Sequence, residues 1–149
     1  MPHFTLQLTQ QSGPILTVVF SVSAERHEAL TKAGAVIPKP VPIRALLDTG
    51  ASSTCVDPSV FKSLSLTPTG TVQMVTPSTG KDPVDVDQYD VGIIIPGVSP
   101  DTPPFVLPIL PVCCTDLAMQ GIHALIGRDV LEHCVLTYNG STNLFILAY

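Results

Sequence analysis

Hydrophobic and polar residues alternate over short stretches of this chain, which is the spacing of half-buried β-strands. Phe4 to Leu8 alternates in this way, and Ile15 to Phe20 is a more continuously apolar run. Further strand patterns occupy residues 43–47, 72–75, 84–87, 91–95, 105–110 and 144–147. The pattern predicts an all-β fold with one sheet system, which opens as a hairpin turning at Ser12-Gly13-Pro14.

Two stretches do not follow strand spacing and predict short helices. Residues 24–33 follow Ser23 as a helix N-cap, with Lys32 near the end and Gly34 beyond it. We interpret this helix as a surface insertion. A second short helix is predicted within residues 127–134. Fifteen prolines and ten glycines leave little room for longer helices, which excludes a helical bundle.

Composition and charge narrow the possible classes. With 149 residues, 13% charged residues and a mean hydropathy of +0.40, the chain is suited to one folded domain rather than to disorder. Seven Lys and Arg against twelve Asp and Glu give a net charge of −5, and the cations form no run, so nucleic acid is not an expected partner. No apolar stretch reaches the ~20 residues of a transmembrane helix. The N-terminus has no signal-peptide pattern, so we expect a cytoplasmic protein.

The cysteines lack metal-site spacing. No C-x-x-C motif is present, so we interpret all four as buried small hydrophobic residues. The alternative is a Cys/His zinc site that uses His123 or His133. We expect no metal and no other cofactor. The four residues are Cys55, Cys113, Cys114 and Cys134.

Asp48-Thr49-Gly50 follows the apolar strand pattern of residues 43–47 directly. A carboxylate at the end of an apolar strand is costly unless it is hydrogen-bonded. Gly50 permits a tight turn that directs backbone N–H groups at the carboxylate, and Thr49 adds a hydroxyl. This arrangement would present an acid group, although an aspartate in an ordinary β-turn is the alternative.

The surrounding residues resemble those of a known enzyme family. Residues 45–52, ALLDTGAS, resemble the active-site loop of the retroviral-type aspartic proteases, the retropepsins. Residues 124–131, ALIGRDVL, resemble the family's apolar-apolar-Gly segment, which precedes Arg-Asp and a short helix. The predicted hairpin over residues 72–95 occupies the place of the family's flap. The resemblance covers about residues 41–149.

The resemblance implies a closed retropepsin-like acid-protease β-barrel with a flap hairpin. We therefore expect one domain over residues 1–149, in which residues 1–40 supply N-terminal strands and the insertion, and residues 41–149 form the core.

A single acid loop implies an assembly of two chains. No second D-T-G or D-S-G occurs, whereas aspartic proteases need two carboxylates that share one proton. The resemblance thus implies a homodimeric endopeptidase in which the Asp48 residues of two subunits activate a water to cleave a peptide or protein substrate. Activity should follow a bell in pH that peaks on the acidic side. Two alternatives are a retropepsin-fold module that dimerises or binds peptides without cleaving them, and an unrelated β-barrel with a chance D-T-G.

Further site roles are implied by the same resemblance. Thr49, Gly50 and Ala51 would support the active-site loop. Arg128 and Asp129 would be structural at the loop and the dimer, and a simple ion pair at the helix start is the alternative for Arg128. The residues expected to contact substrate from the flap and the cleft wall are Thr76, Pro77, Ser78, Thr79, Gly80, His123 and Leu125. For His123, the alternative is a packed or solvent-facing histidine.

Three segments are interpreted less specifically. Residues 143–149 are the candidate dimer interface through strand pairing, and an edge strand in a monomer is the alternative. The loop of residues 111–122 should lie near the cleft with an open role. A cluster of acidic residues is interpreted as a solvated face, with attraction of basic substrates or cation binding as alternatives: Asp82, Asp85, Asp87 and Asp90.

Overall fold

A computed structural model describes residues 1–9, 11, 13–75 and 80–149. Most of the elements in this part of the chain are strands, which confirms the predicted all-β class with few helices. In chain order the elements are β1 (His3–Gln7), β2 (Ile15–Val22), α1 (Ala24–Lys32), β3 (Val41–Leu47), β4 (Cys55–Val56), α2 (Pro58–Ser63), β5 (Gly70–Met74), β6 (Val84–Ile95), β7 (Phe105–Cys114), a 3₁₀ turn (Ala118–Gln120), β8 (Ala124–Ile126), α3 (Arg128–Leu131), β9 (Val135–Asn139) and β10 (Leu144–Ala148).

Six strands close into a barrel in the order β2-β3-β8-β4-β7-β6, because β6 also pairs with β2. β5 extends this sheet beside β6. Alternate residues of each strand face the barrel core, which is why Ile43, Ala45 and Leu47 of β3 are buried whereas Arg44 is exposed and Leu46 is half-buried. The barrel thus has a dry interior and an outer face that carries the polar residues of the same strands.

The strand partners at the N-terminus differ from the prediction. β1 and β2 do not form a hairpin: β1 pairs with β10, while β2 pairs with β3 and β6. The prediction of one sheet system is also wrong, since β1, β10 and β9 form a separate three-stranded sheet. The two-residue period of a strand identifies its buried face but carries no information about its neighbour.

β10 occupies the centre of this smaller sheet. It pairs with β1 on one side and with β9 on the other, both antiparallel. The alternative that residues 143–149 form an edge strand is therefore wrong, because both edges of β10 are already hydrogen-bonded within the chain. The edges of this sheet are β1 and β9.

The strand patterns at 84–87 and 91–95 are one long strand, β6. The register slips between Val91 and Ile93, where Gly92 lies. A Cβ atom at Gly92 would lie 2.5 Å from Ser21 Oγ and 3.2 Å from Val22 O, so a side chain here would require Ser21 to move where β2 and β6 approach closely.

The two predicted helices correspond to α1 and α3. α1 begins after Ser23, whose Oγ accepts a hydrogen bond from Arg26 N at 3.3 Å, and none of its residues is buried. α3 lies inside the window predicted for the second helix. α2 was not predicted, although Asp57 and Pro58 form a recognisable helix start, an N-cap followed by proline at the first position. No helix among the described residues is long and apolar enough to span a membrane.

Candidate active site

The Asp48 loop leaves β3 beside β8. Asp48 N donates to Ile126 O at 2.9 Å, so the loop is attached to the end of β8. The half-buried Asp48 carboxylate accepts a hydrogen bond from Gly50 N at 2.9 Å. A Cβ atom at Gly50 would lie 3.1 Å from Asp48 Oδ1, which leaves little space for a side chain. The loop presents one carboxylate oxygen that is held by a backbone N–H while Thr49 and Gly50 remain exposed.

Arg128 holds the outer side of this loop. Its Nη1 donates to Thr49 O at 2.8 Å and to Gly50 O at 3.3 Å. Arg128 N also donates to Ala51 O at 3.0 Å. A charged donor on neutral carbonyls forms a stronger hydrogen bond than a neutral donor does. Arg128 therefore contacts the backbone of three successive loop residues instead of forming an ion pair at the start of α3.

Asp129 fixes the chain that follows the loop. Its carboxylate accepts from Thr54 N at 2.8 Å and from Thr54 Oγ1 at 2.7 Å. Thr54 Oγ1 in turn accepts from Gly127 N at 3.1 Å, and Thr54 is fully buried. Gly127 is required by packing, since a Cβ atom there would lie 2.6 Å from the carbonyl carbon of Ser53. These contacts lock the two segments that carry the sequence motifs against each other.

A model of the aspartyl protease family matches residues 34–130, which include the Asp48 loop, Thr54 and Arg128. The chain belongs to this family. Its fold is also similar to that of a retropepsin-like aspartic protease from Rickettsia conorii, at a TM-score of 0.58 and 14% identity, covering 99% of this chain and 90% of that one. This likeness confirms the predicted retropepsin-like barrel. A comparison with curated protein sequences finds no match.

In this aspartyl protease family member, the residues predicted to line the cleft wall lie on the outward face of β3 and β8. Leu46 and Leu125 are register partners on these parallel strands, and both are half-buried. His123 lies two residues before Leu125, is half-buried, and has a buried Nδ1 with no hydrogen-bond partner. Residues on alternate positions of a strand share one face, so all three lie on the same side as Asp48.

The predicted flap is only partly within the described residues. β5 and β6 form an antiparallel hairpin in which Met74 pairs with Val84. Gly80 has a φ of 67°, a backbone conformation that favours glycine in the connection. The other predicted flap contacts lie outside the described residues: Thr76, Pro77, Ser78 and Thr79.

Asp57 is a structural residue that sequence reasoning missed. Its carboxylate accepts from Ser59 N and Oγ, and from Leu117 N and Ala118 N at 3.0 and 3.1 Å. Asp57 N also donates to His123 O at 2.9 Å. Burial by itself raises the pKa of Asp57, but these hydrogen bonds lower it to about 2.

Asp57 therefore attaches the loop of residues 111–122 to α2 and to His123 at the start of β8. The Asp57-Pro58 pair was the available sequence signal, but nothing in it indicated a contact 60 residues away.

The cysteines are free thiols in different environments. Cys55 and Cys113 are buried and are direct register partners on β4 and β7, while Cys114 and Cys134 are half-buried. A hydrogen bond from Cys113 lowers the pKa of Cys55 to about 7, against the effect of burial. No group of three potential metal ligands occurs in the described ranges, so no ligand cluster there supports the alternative of a Cys/His zinc site.

Proposed function

We propose that this aspartyl protease family member is a homodimeric aspartic endopeptidase. The observation that carries the proposal is the Asp48 carboxylate, which is half-buried and held by Gly50 N at the exposed turn between β3 and the rest of the barrel. The turn leaves the loop free to meet a second copy of itself, and the family's chemistry requires two such carboxylates.

In the proposed dimer the two Asp48 carboxylates would lie side by side in one site. They would share one proton, because two neighbouring carboxylates cannot both ionise. The ionised carboxylate takes a proton from a water that attacks the peptide carbonyl, and the protonated carboxylate donates a hydrogen bond to the carbonyl oxygen. In each subunit Gly50 N donates a hydrogen bond to the Asp48 carboxylate and so helps to orient it. Thr49, which is exposed at the turn, would contact the partner's loop, and Arg128 would hold the turn through its hydrogen bonds to Thr49 O and Gly50 O.

Substrate would bind as an extended strand between the β5–β6 hairpin and the wall of β3 and β8. Leu46 and Leu125 offer an apolar surface to a side chain next to the scissile bond, and His123 lies farther along the same face. Gly80 and residues 76–79 belong to the segment that would cover the peptide.

In the proposed dimer, the three-stranded sheet contributes side chains to the interface rather than backbone hydrogen bonds from β10. Because both edges of β10 are hydrogen-bonded to β1 and β9, a second copy would contact the outer side chains of this sheet. Ile146 and Val135 lie on that face, with 37% and 54% of their surfaces exposed. Residues 143–149 remain the proposed interface segment through their side chains rather than their backbone.

The proposal is tested by Asp48→Asn in a cleavage assay on a peptide library between about pH 4 and 7. We expect at least a 10³-fold loss of cleavage, since both carboxylates of the pair are removed when both subunits carry the substitution. Circular dichroism and sedimentation should be unchanged. Asp101→Asn, at an exposed aspartate outside the site, is the matched control. A wild-type protein that cleaves nothing in the library would instead support the non-cleaving binding module.

A further inference from the structure

A depression of about 390 Å³ lies on the outer face of β3, beyond the cleft wall. Its floor is apolar and its rim carries one guanidinium, three hydroxyls and an imidazole. The lining residues used here are Thr17, Val41, Arg44, Ser59, Val60 and His123.

Arg44 provides the positive charge of this depression. No carboxylate of the described residues lies within salt-bridge distance of its guanidinium, although the chain carries a net charge of −5. Arg128, by contrast, is bonded to the carbonyls of the Asp48 loop. The N–H donors of the planar Arg44 guanidinium therefore remain available to an anionic group of a bound ligand.

Thr17 supplies a second donor at the same place. It is the register partner of Arg44 on the antiparallel strands β2 and β3, so the two side chains stand side by side on one face. The Ser59 hydroxyl is already committed to Asp57. A carboxylate above Arg44 could accept from the guanidinium and from the Thr17 hydroxyl while its methylenes contact Val41 and Val60.

The depression shares His123 with the residues predicted to line the cleft. Arg44, Leu46 and Asp48 occupy alternate positions and so share the outer face, and His123 N bonds to Arg44 O at 2.9 Å. Four residues of strand separate Arg44 from Asp48, which is about 13 Å. An extended peptide whose scissile bond lies at Asp48 would therefore span about four residues to reach the depression.

We propose that this depression is a subsite for an acidic side chain of the substrate, about four residues from the scissile bond, with Arg44 and Thr17 as its donors. This inference rests on the proposed endopeptidase function, because the peptide is what places the side chain. Arg44 thus sets specificity and does not take part in bond cleavage.

The test compares cleavage of a proteome-derived peptide library by the wild type, Arg44→Met, Arg44→Lys and Thr17→Val. We expect the wild type to enrich Asp or Glu three to five residues from the cleaved bond. Matched Glu and Gln peptides should then differ by about three- to tenfold in kcat/KM, mainly through KM. Arg44→Met should abolish this ratio, Thr17→Val should reduce it, and Arg44→Lys should keep part of it.

The control is Lys62→Met, which removes an exposed cation from α2 outside the depression. It should leave the ratio unchanged. Cleavage without an acidic preference, a preference that survives Arg44→Met, or an equal loss in Lys62→Met would each overturn the subsite while leaving the endopeptidase function intact.

A binding arm separates the two proposals. Asp48→Asn is applied to an array of the library peptides that carry Glu or Gln at each position. If Glu peptides bind more strongly than Gln peptides, and if adding Arg44→Met to Asp48→Asn removes this difference, the subsite is supported even when the wild type cleaves nothing. Equal binding of Glu and Gln peptides overturns it.

Discussion

At the residue scale, the site depends on a few buried polar groups, several of whose hydrogen bonds join segments far apart in the sequence. Thr54 contacts Asp129 and Gly127 across more than 70 positions of sequence, and Asp57 contacts Leu117 across 60. Each buried group would be costly without these partners. The Asp48 loop is therefore held in place by residues that have no catalytic role of their own.

Asp57→Asn should destabilise the protein by about 2 kcal/mol near neutral pH. An amide has one acceptor oxygen and directs N–H groups at the N–H groups of Leu117 and Ala118. The pKa of Asp57 is lowered from 3.8 to about 2 on folding, so its stabilisation is complete above about pH 4 and is lost as the pH falls towards 2.

Urea denaturation from pH 2 to pH 7 at one protein concentration measures this effect. The difference between wild type and Asp57→Asn should shrink below pH 4, while Asp101→Asn should match the wild type throughout. A difference that stays constant over this range would contradict the assignment.

At the element scale, the three-stranded sheet decides how two copies could meet. Both edges of β10 are paired, so in the proposed dimer a contact through this sheet would use side chains on its exposed face or the outer edges of β1 and β9. Exposed apolar residues on such a face are typical of an interaction surface.

Ile146→Lys should weaken the dimer at least tenfold, because a partner that covers position 146 would bury a charged ammonium. Sedimentation equilibrium measures the dissociation constant, and circular dichroism checks the fold of the monomer. Val36→Lys is the matched control, since Val36 is 90% exposed and lies after α1, outside the sheet. An unchanged dissociation constant for Ile146→Lys would place the interface elsewhere.

At the scale of the whole molecule, one barrel carries one acid loop. Mixing wild type with increasing Asp48→Asn at constant total protein tests whether two loops form one site. Heterodimers would contain a single ionisable Asp48, so activity should fall with the square of the wild-type fraction. The assay needs subunit exchange, which is checked by incubating the mixture until the rate is constant.

The same mixture with Asp101→Asn should keep full activity at every ratio. A linear fall of activity with the wild-type fraction in the Asp48→Asn mixture would mean that each chain acts alone.

Much of the fold follows from local patterns. The strand patterns predicted β2, β3 and β10, and Ser23 marked the start of α1, because both signals lie within a few residues. β4 and β8 are too short to show a period, and α2 is too short to show a helical one. The separate sheet of β1, β10 and β9 could not be predicted, because it joins the two ends of the chain.

The amino-acid sequence by itself determined the family, the retropepsin-like barrel and the single acid motif, since these depend on residue types in a fixed local order. Only the tertiary structure decided that β10 is paired on both sides, that Asp57 joins the loop of residues 111–122 to α2, and that Arg44 and Thr17 are cross-strand neighbours. These features depend on strand register and on contacts between residues far apart in sequence. Local chemistry does not encode such contacts in any one segment.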